Sequence, residues 1–416
     1  MVTLASKLTF GAETADWQER LNMERMRRHR SERARQIMRQ HGVAAMLEAS
    51  GVNRRYLIGL KGFEYPMAHY VLFFAEHEPI AYEHNGYYHQ MPDQAPWIKE
   101  WRPARSWLTG SPGMDASRSE AKKFAAEIRH ELEVRGLLGE KLALGGFDGT
   151  AREALAEAGV KNIVDSRPIM LEARKIKGAD EIACLKMIAA IADGVWFRVW
   201  ESLRPGMRDS DIGALASAAG YELGAESAVP GGWRTGPTTF DRGFHQTSRI
   251  LQIGDLVYGS WCGATFMGYS SCTYHTFIIG RKPTPKEEDW YERMKERIDG
   301  ALSEIKPGKT TADAARHFLP ASAWGYHDEC EVLASEIAHG IGFGSGRVGY
   351  DMPIVNRQWS PEFPQVFEEG MCMAIECREG EHRVGGVRLE DMFVVTEHGA
   401  ELITHFPRDE ILVAPR

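Results

Sequence analysis

The first 170 or so residues alternate between short apolar runs and longer stretches that mix apolar and charged side chains. The short runs predict strands at residues 43–47, 70–74, 80–82, 142–144 and 163–164. The longer stretches predict helices at residues 22–41, 119–137 and 151–158. Strands that alternate with helices in this way indicate an α/β domain.

The pattern changes near residue 172, where a polar and basic stretch begins. A long helix is predicted from Ala179, because acidic side chains in its first turn suit the helix dipole. Further helices are predicted from Asp209 and over residues 286–305, and strands at 256–258, 276–279, 371–375 and 392–395. Helices clustered between strand runs indicate an α+β domain. We therefore predict an α/β domain at residues 1–172 and an α+β domain at residues 173–416.

Composition and charge narrow the classes of function. The chain has 416 residues, which is long for a single core, and its formal charge of -8 argues against nonspecific binding of nucleic acid. Its apolar runs are far shorter than the roughly 20 residues of a membrane helix. Six cysteines without a C-x-x-C pair fit reduced thiols better than a disulfide framework. We expect a cytoplasmic small-molecule enzyme that binds neither nucleic acid nor membrane.

Three segments carry candidate chemistry. His339 is flanked by glycines, Glu376 ends an apolar run, and Glu390 comes just before another apolar run. A carboxylate among apolar strand residues is costly to bury unless it is paired, protonated or bound to a cation. Each of these residues alone is most often a partnered structural group, but the three together indicate a site.

The order of the segments resembles the creatinase, prolidase and methionine aminopeptidase family. The resemblance extends from about residue 42 to 413 and implies a pita-bread catalytic domain preceded by a smaller α/β domain. Its motifs are Arg174-x-x-Lys177-x-x-Asp180-Glu181-Ile182, Gly254-Asp255-Leu256-Val257, Gly263-Ala264-x-x-x-Gly268-Tyr269-x-Ser271, His339-Gly340-Ile341-Gly342 and Arg388-x-Glu390-Asp391.

The chain departs from the metallopeptidases of this family at two metal ligands. Those enzymes hold two divalent ions with two Asp, one His and two Glu, and the last three match His339, Glu376 and Glu390. The first Asp position falls at Ser260 or Trp261, and the second falls at Cys272. Losing two oxygen donors and two negative charges predicts that the two-metal centre is absent.

The cofactor prediction is therefore no metal. A single zinc ion remains chemically possible, because a thiolate, an imidazole and carboxylates can hold zinc. The ligands of that single ion would be Cys272, His339, Glu376 and Glu390.

Creatinase-like members of the family work without an ion, and the resemblance to them implies a hydrolase or lyase acting on a small, cationic molecule at a C–N bond. Glu376 and Glu390 would bind the cation, and His339 or His245 would transfer the proton. His275 is a third candidate imidazole, at a position where relatives have Arg. The residues expected at the substrate are Phe63, Tyr65, Trp261, Cys272, His275 and Tyr350.

The resemblance also implies a homodimer. In relatives, the loop after the Asn53-x-x-Tyr56-x-x-Gly59 segment reaches the active site of the second subunit, and here that loop contains the aromatic residues Phe63 and Tyr65. Three alternative functions remain open. They are a metal-dependent Xaa-Pro dipeptidase or aminopeptidase with an altered metal site, a dimethylsulfoniopropionate-type C–S lyase, and a binding module that has lost catalysis.

Overall fold

The computed structural model describes residues 21–61, 68–241, 247–332, 336–343 and 350–414. The chain forms two compact units, Met1–Arg174 and Lys175–Arg416. Within the described ranges, no helix combines the length and the apolar character needed to cross a membrane.

The first unit contains a six-stranded sheet of parallel and antiparallel pairs. Its strands are β1 Val43–Glu48, β2 Tyr70–Phe74, β3 Ile80–His84, β4 Glu100–Ala104, β5 Lys141–Gly145 and β6 Ile163–Asp165, in the order β4-β3-β2-β1-β5-β6. Its helices are α1 Met23–Gln40, α2 Gly51–Ile58, α3 Met91–Gln94, α4 Met114–Val134 and α5 Gly149–Glu157. The predicted α/β class is confirmed, although the sequence did not predict α2, α3 or β4.

Helix α1 shows how the sequence forms these elements. Asn22 caps its start by accepting a hydrogen bond from the Arg25 backbone N–H at 2.9 Å. Met26, Ala34 and Ile37 are buried at helical spacing. Helix α6, Arg167–Lys175, begins where the sequence predicted only a polar connection.

The second unit is built on a nine-stranded sheet. Its helices are α7 Ala179–Ser202, α8 Asp209–Glu222, α9 Pro285–Glu304 and α10 Thr311–Ala315. Its strands are β7 Gly232–Thr235, β8 Leu256–Ser260, β9 Thr265–Phe266, β10 Tyr269–Ser270, β11 Tyr274–Ile279, β12 Glu336–Gly340, β13 Asp351–Asn356, β14 Cys372–Glu381, β15 Gly385–Thr396, β16 Gly399–Leu402 and β17 Leu412–Ala414. Seven strands of the large sheet follow the order β13-β12-β14-β15-β11-β8-β7, and β16 pairs with β15 and β17 with β11. The strands β9 and β10 form a separate hairpin. The predicted α+β class is confirmed.

The main core of this unit covers one face of β14 and β15. Met294 and Ile298 of α9 are buried in the same cluster as Ile375 and Leu389. Because side chains alternate between the two faces of a strand, the neighbouring positions of β14 and β15 point to the opposite face. Glu376 and Glu390 occupy such positions.

Truncating the core at Ile298 tests this packing. Ile298 is 0% exposed, so Ile298→Ala should lower the free energy of unfolding of the second unit by about 2–5 kcal/mol. Ile253 is 63% exposed in the same unit, and Ile253→Ala should change it by less than about 0.5 kcal/mol. Urea denaturation followed by circular dichroism measures both, and equal losses would contradict the assigned core.

Candidate functional site

Strand register brings the three candidate residues into one cluster. Glu376 on β14 lies opposite Glu390 on β15, and Glu390 lies opposite Tyr274 on β11. His339 on β12 lies opposite Ala374, two positions from Glu376 on the same face of β14. Their ligand-forming atoms (one from each of His339, Glu376 and Glu390) lie within 4.8 Å of one another.

A glycine beside His339 allows the close strand contact that positions it. A Cβ at Gly340 would lie 2.5 Å from the carbonyl oxygen of Met352 on β13. Real Cβ atoms do not approach that closely, so only glycine lets β13 pack here without a shift. This accounts for the His-Gly pair in the sequence.

His339 and Glu390 form a buried pair. The Nε2 atom of His339 lies 3.3 Å from Oε1 of Glu390, and the two side chains are 1% and 0% exposed. The contact lacks hydrogen-bond geometry, so neither atom has a hydrogen-bond partner among the described residues. The Nδ1 atom of His339 lies 3.2 Å from the carbonyl oxygen of Gly340, which can only accept. Nδ1 therefore donates, and Nε2 is the atom that gains or loses a proton beside Glu390.

The pair favours retention of a proton. Burial raises the pKa of Glu390, and the nearby charge of Glu376 raises it further. Burial lowers the pKa of His339, but the contact with Glu390 and the charges of Glu390 and Glu376 outweigh it, so that pKa lies above the ordinary value. A proton held between an imidazole and a carboxyl group is suited to acid–base chemistry.

Glu376 forms an ion pair within the protein. The Nε atom of Arg388 lies 3.1 Å from Oε2 of Glu376, and Nη2 of Arg388 also contacts that oxygen. The guanidinium lies 3.7 Å from the ring centroid of Tyr274, and the Arg388 backbone N–H donates to the Thr276 hydroxyl at 2.8 Å. We expected the substrate to supply a cation for Glu376, and Arg388 supplies it instead. The two-residue period of β15 places Arg388 on the same face as Glu390, which the sequence could have shown.

Two thiols complete the cluster. The Sγ atom of Cys262 donates to Oε2 of Glu390 at 3.4 Å, across 128 positions of sequence. The ligand-forming atoms of Cys262, Cys272 and Glu390 lie within 4.8 Å of one another. Burial raises the pKa of Cys262 to about 11, and burial raises the pKa of Cys272 well above its ordinary value. Both thiols therefore hold their protons near neutral pH.

Cys262 lies at the cluster, although the sequence analysis did not assign it to the site. The Trp261 N–H donates to the Thr273 carbonyl and the Gly263 N–H to the Ser271 carbonyl, both at 2.9 Å. These bonds place Cys262 directly opposite Cys272, as a non-hydrogen-bonded pair whose side chains are close.

Ser260 and Trp261 have structural roles instead. The Ser260 hydroxyl accepts a hydrogen bond from the Gly232 N–H at 2.9 Å. The Trp261 ring lies against Gly220 of α8, where a Cβ would come within 2.7 Å of it. We therefore do not assign Trp261 to substrate binding.

His275 lies on the opposite face of β11 from the cluster. It packs at 5.0 Å from the ring of Trp196 and 4.7 Å from that of Phe406. Burial lowers the pKa of His275 to about 3, with a further contribution from Arg408, so the ring is neutral. The structure thus removes His275 from the expected substrate-binding and proton-transfer residues.

Tyr350 lies at the cluster. Its ring stacks on the His339 ring with centroids 3.9 Å apart and an interplanar angle of 24°. Phe63, Tyr65 and His245, which the sequence also assigned to the site, lie outside the described residues.

The donor set does not fit a pair of hard divalent ions. Thiols stand where two carboxylates would be needed, and the guanidinium of Arg388 occupies Oε2 of Glu376. A single soft ion such as Zn²⁺ fits better, and two sets of three donors could hold it: Cys262, Cys272 and Glu390, or His339, Glu376 and Glu390. The four predicted ligands, Cys272, His339, Glu376 and Glu390, are divided between these two sets.

Glu376 and Arg388 also line a cavity of about 250 Å³. A molecule bound at this end of the cavity would lie beside the cluster, because Glu376 belongs to both.

Two curated sequences illustrate what the chain resembles. An Xaa-Pro dipeptidase from Pyrococcus furiosus is 26% identical over 308 residues, which cover 71% of this chain and 83% of the relative. An agropine synthesis cyclase from Rhizobium rhizogenes is 24% identical over 344 residues, which cover 71% of this chain and 83% of the relative.

A solved structure shows the shared fold. The Xaa-Pro dipeptidase from Bacillus anthracis superimposes with a TM-score of 0.74 at 22% sequence identity, covering 94% of this chain and 100% of that one. Residues 183–397, which include all five residues of the cluster, match the sequence model of metallopeptidase family M24. The order of motifs, the fold and this match agree, and the chain belongs to metallopeptidase family M24, the pita-bread family of hydrolases.

Proposed function

We propose that this chain hydrolyses a C–N bond of a small, non-peptide molecule by proton transfer through His339 and Glu390, without the two-metal centre of the metallopeptidases. The observation that carries the proposal is the pair of thiols, Cys262 and Cys272, beside Glu390 in a cluster whose described residues include no aspartate. Arg388 strengthens it, because its guanidinium already neutralises Glu376.

The proposed chemistry uses His339 twice. The proton that His339 and Glu390 share passes from Nε2 to the departing nitrogen as the C–N bond breaks, and a water molecule attacks the carbon. The attacking water then gives one proton to Nε2, which restores the pair. Glu390, 3.3 Å from Nε2, stabilises the imidazolium whenever Nε2 carries the proton. The cationic substrate that we expected is no longer part of this proposal.

The relatives support hydrolysis of a C–N bond, and they do not identify the substrate. Dipeptidases break C–N bonds, and P. furiosus dipeptidase is one of the similar sequences. The R. rhizogenes relative carries the name of a cyclase, which supports non-peptide chemistry on a similar sequence.

A second candidate is a zinc-dependent dipeptidase. It is favoured by the three neighbouring donors Cys262, Cys272 and Glu390, because a bound Zn²⁺ would deprotonate both thiols. Zinc would supply a Lewis acid and an activated water. The names of the relatives would then suggest an Xaa-Pro dipeptide as substrate.

Metal analysis separates the two candidates. Protein purified without chelator should contain far less than one metal ion per chain, because the thiols keep their protons. Its turnover on a panel of amides, ureas, amidines and Xaa-Pro dipeptides should survive EDTA. Inductively coupled plasma mass spectrometry measures the first and product chromatography the second. Stoichiometric zinc that is required for turnover would establish the second candidate instead.

Substitution of the pair tests the proton transfer. His339→Gln and Glu390→Gln should each lower kcat/KM by roughly 10²–10⁴-fold, the usual contribution of a general acid–base group. His275→Gln is the matched control, because His275 is a buried histidine on the other face of the sheet. Its turnover per folded molecule should stay near that of the wild type. A large loss of turnover in His275→Gln, without such a loss in His339→Gln and Glu390→Gln, would contradict the assignment of proton transfer to His339 and Glu390.

Restoring the two acids tests the argument about charge. Cys262→Asp/Cys272→Asp should bind Mn²⁺, which the wild type should not, because the double variant regains two hard, anionic donors. Cys262→Ser/Cys272→Ser is the control, since it removes the thiols without adding charge. Equilibrium dialysis with Mn²⁺ measures all three proteins. Tight Mn²⁺ binding by the wild type would refute the claim that the donor set excludes hard ions.

A further inference from the structure

We infer that the cavity beside Arg388 binds an aromatic group of the substrate, and that Arg388 donates to an acceptor oxygen next to that group. The inference rests on the proposed function in one respect, since it concerns the substrate of the same site. It points to aryl acids and arylamides in place of the small cation expected from the sequence.

The cavity wall is rich in aromatic and branched apolar side chains. The ring centroids of Phe240 and Trp324 lie 6.4 Å apart, and the two rings are tilted by 33° to each other. Phe318, Tyr326 and Ile337 also line the cavity. Walls of this composition attract a planar apolar group through dispersion and ring contacts.

The volume sets the size of the group. A protein cavity of about 150 Å³ lined by Leu, Ile and Phe is enough to hold benzene. The present cavity has about 250 Å³, so it has room for one aromatic ring and a short polar arm. A small cation alone would leave most of this space unfilled.

The charges on the wall do not favour a cationic ligand. Glu329 pairs with Arg357 at 3.2 Å, and Glu381 pairs with Lys286 at 2.6 Å. Glu376 pairs with Arg388. Every carboxylate among the described lining residues is thus already matched by a cation.

Arg388 supplies a donor at the end of the cavity nearest the cluster. Its Nε and Nη2 atoms engage Glu376, whereas Nη1 donates to no described residue. Arg388 is 2% exposed and lines the cavity. A buried guanidinium N–H forms strong, charge-assisted bonds with carbonyl or carboxylate oxygens. A ligand with its ring against Phe240 and Trp324 and its oxygen at Nη1 would lie in the same cavity as Glu376.

Isothermal titration calorimetry with matched probes tests the inference. We use N-benzoylglycine, N-acetylglycine, which lacks the ring, and benzylamine, which carries a cation in place of the acceptor. N-benzoylglycine should bind at least about tenfold more tightly than either of the others, since ring burial and aromatic contacts are worth about one factor of ten.

Two cavity variants locate the binding. Trp324→Ala and Tyr326→Ala should each weaken N-benzoylglycine by roughly tenfold and leave N-acetylglycine unchanged. The control is Trp359→Ala, because Trp359 is 49% exposed and is not a lining residue. Its affinity for N-benzoylglycine should match that of the wild type. Equal affinity for N-benzoylglycine and N-acetylglycine, or no effect of either cavity variant, would overturn the aromatic assignment. Tighter binding of benzylamine would overturn the acceptor assignment.

His339→Gln distinguishes this inference from the proposed function. The variant should bind N-benzoylglycine as the wild type does, because His339 is not a lining residue, and it should lose turnover. If N-benzoylglycine bound no more tightly than N-acetylglycine while turnover still required His339, only the inference would be refuted. Ring preference with turnover independent of His339 would refute the proposed function alone.

Discussion

The buried ion pair between Arg388 and Glu376 sets the electrostatic conditions for the rest of the site. Both side chains lie almost entirely out of water, where an unmatched charge is expensive. Removing one partner of such a pair typically costs about 3–5 kcal/mol, because the other charge is left buried alone. The pair therefore ties β14 to β15 electrostatically and fixes the direction of the guanidinium. It also occupies Oε2 of Glu376 with a cation that belongs to the protein itself.

The other groups take their protonation states from this arrangement. Burial and the charge of Glu376 outweigh the attraction between Glu390 and Arg388, so they favour a protonated Glu390 or a protonated His339 beside it. Cys262 donates to Glu390, and both thiols keep their protons for the same reason of burial. The site therefore contains hydrogen-bond donors and one mobile proton, whereas metallopeptidases of the family have an array of anionic metal ligands.

The fold of the family is retained with two thiols at the site. The TM-score to a solved Xaa-Pro dipeptidase is 0.74, and Cys262 and Cys272 lie beside Glu390. Strand register explains how this is possible. The sheet brings the same positions together whatever their side chains, so the residues of a site can differ without altering the backbone.

The sequence by itself determined the class of both domains, most of the helices and strands, and three site residues. His339, Glu376 and Glu390 could be named because local motifs mark them, and the apolar period of α7 and α9 is a local property as well. Helix α6 was not predicted, because polar residues dominate its sequence and only a few residues, including Ile169, Met170 and Ala173, form its buried side. Only the tertiary structure decided the partners. Cys262 is placed by the backbone hydrogen bonds that its neighbours make to residues 271 and 273, and the Arg388–Glu376 pair forms because β14 pairs with β15. Such pairings depend on strand register, which leaves no local trace in the sequence.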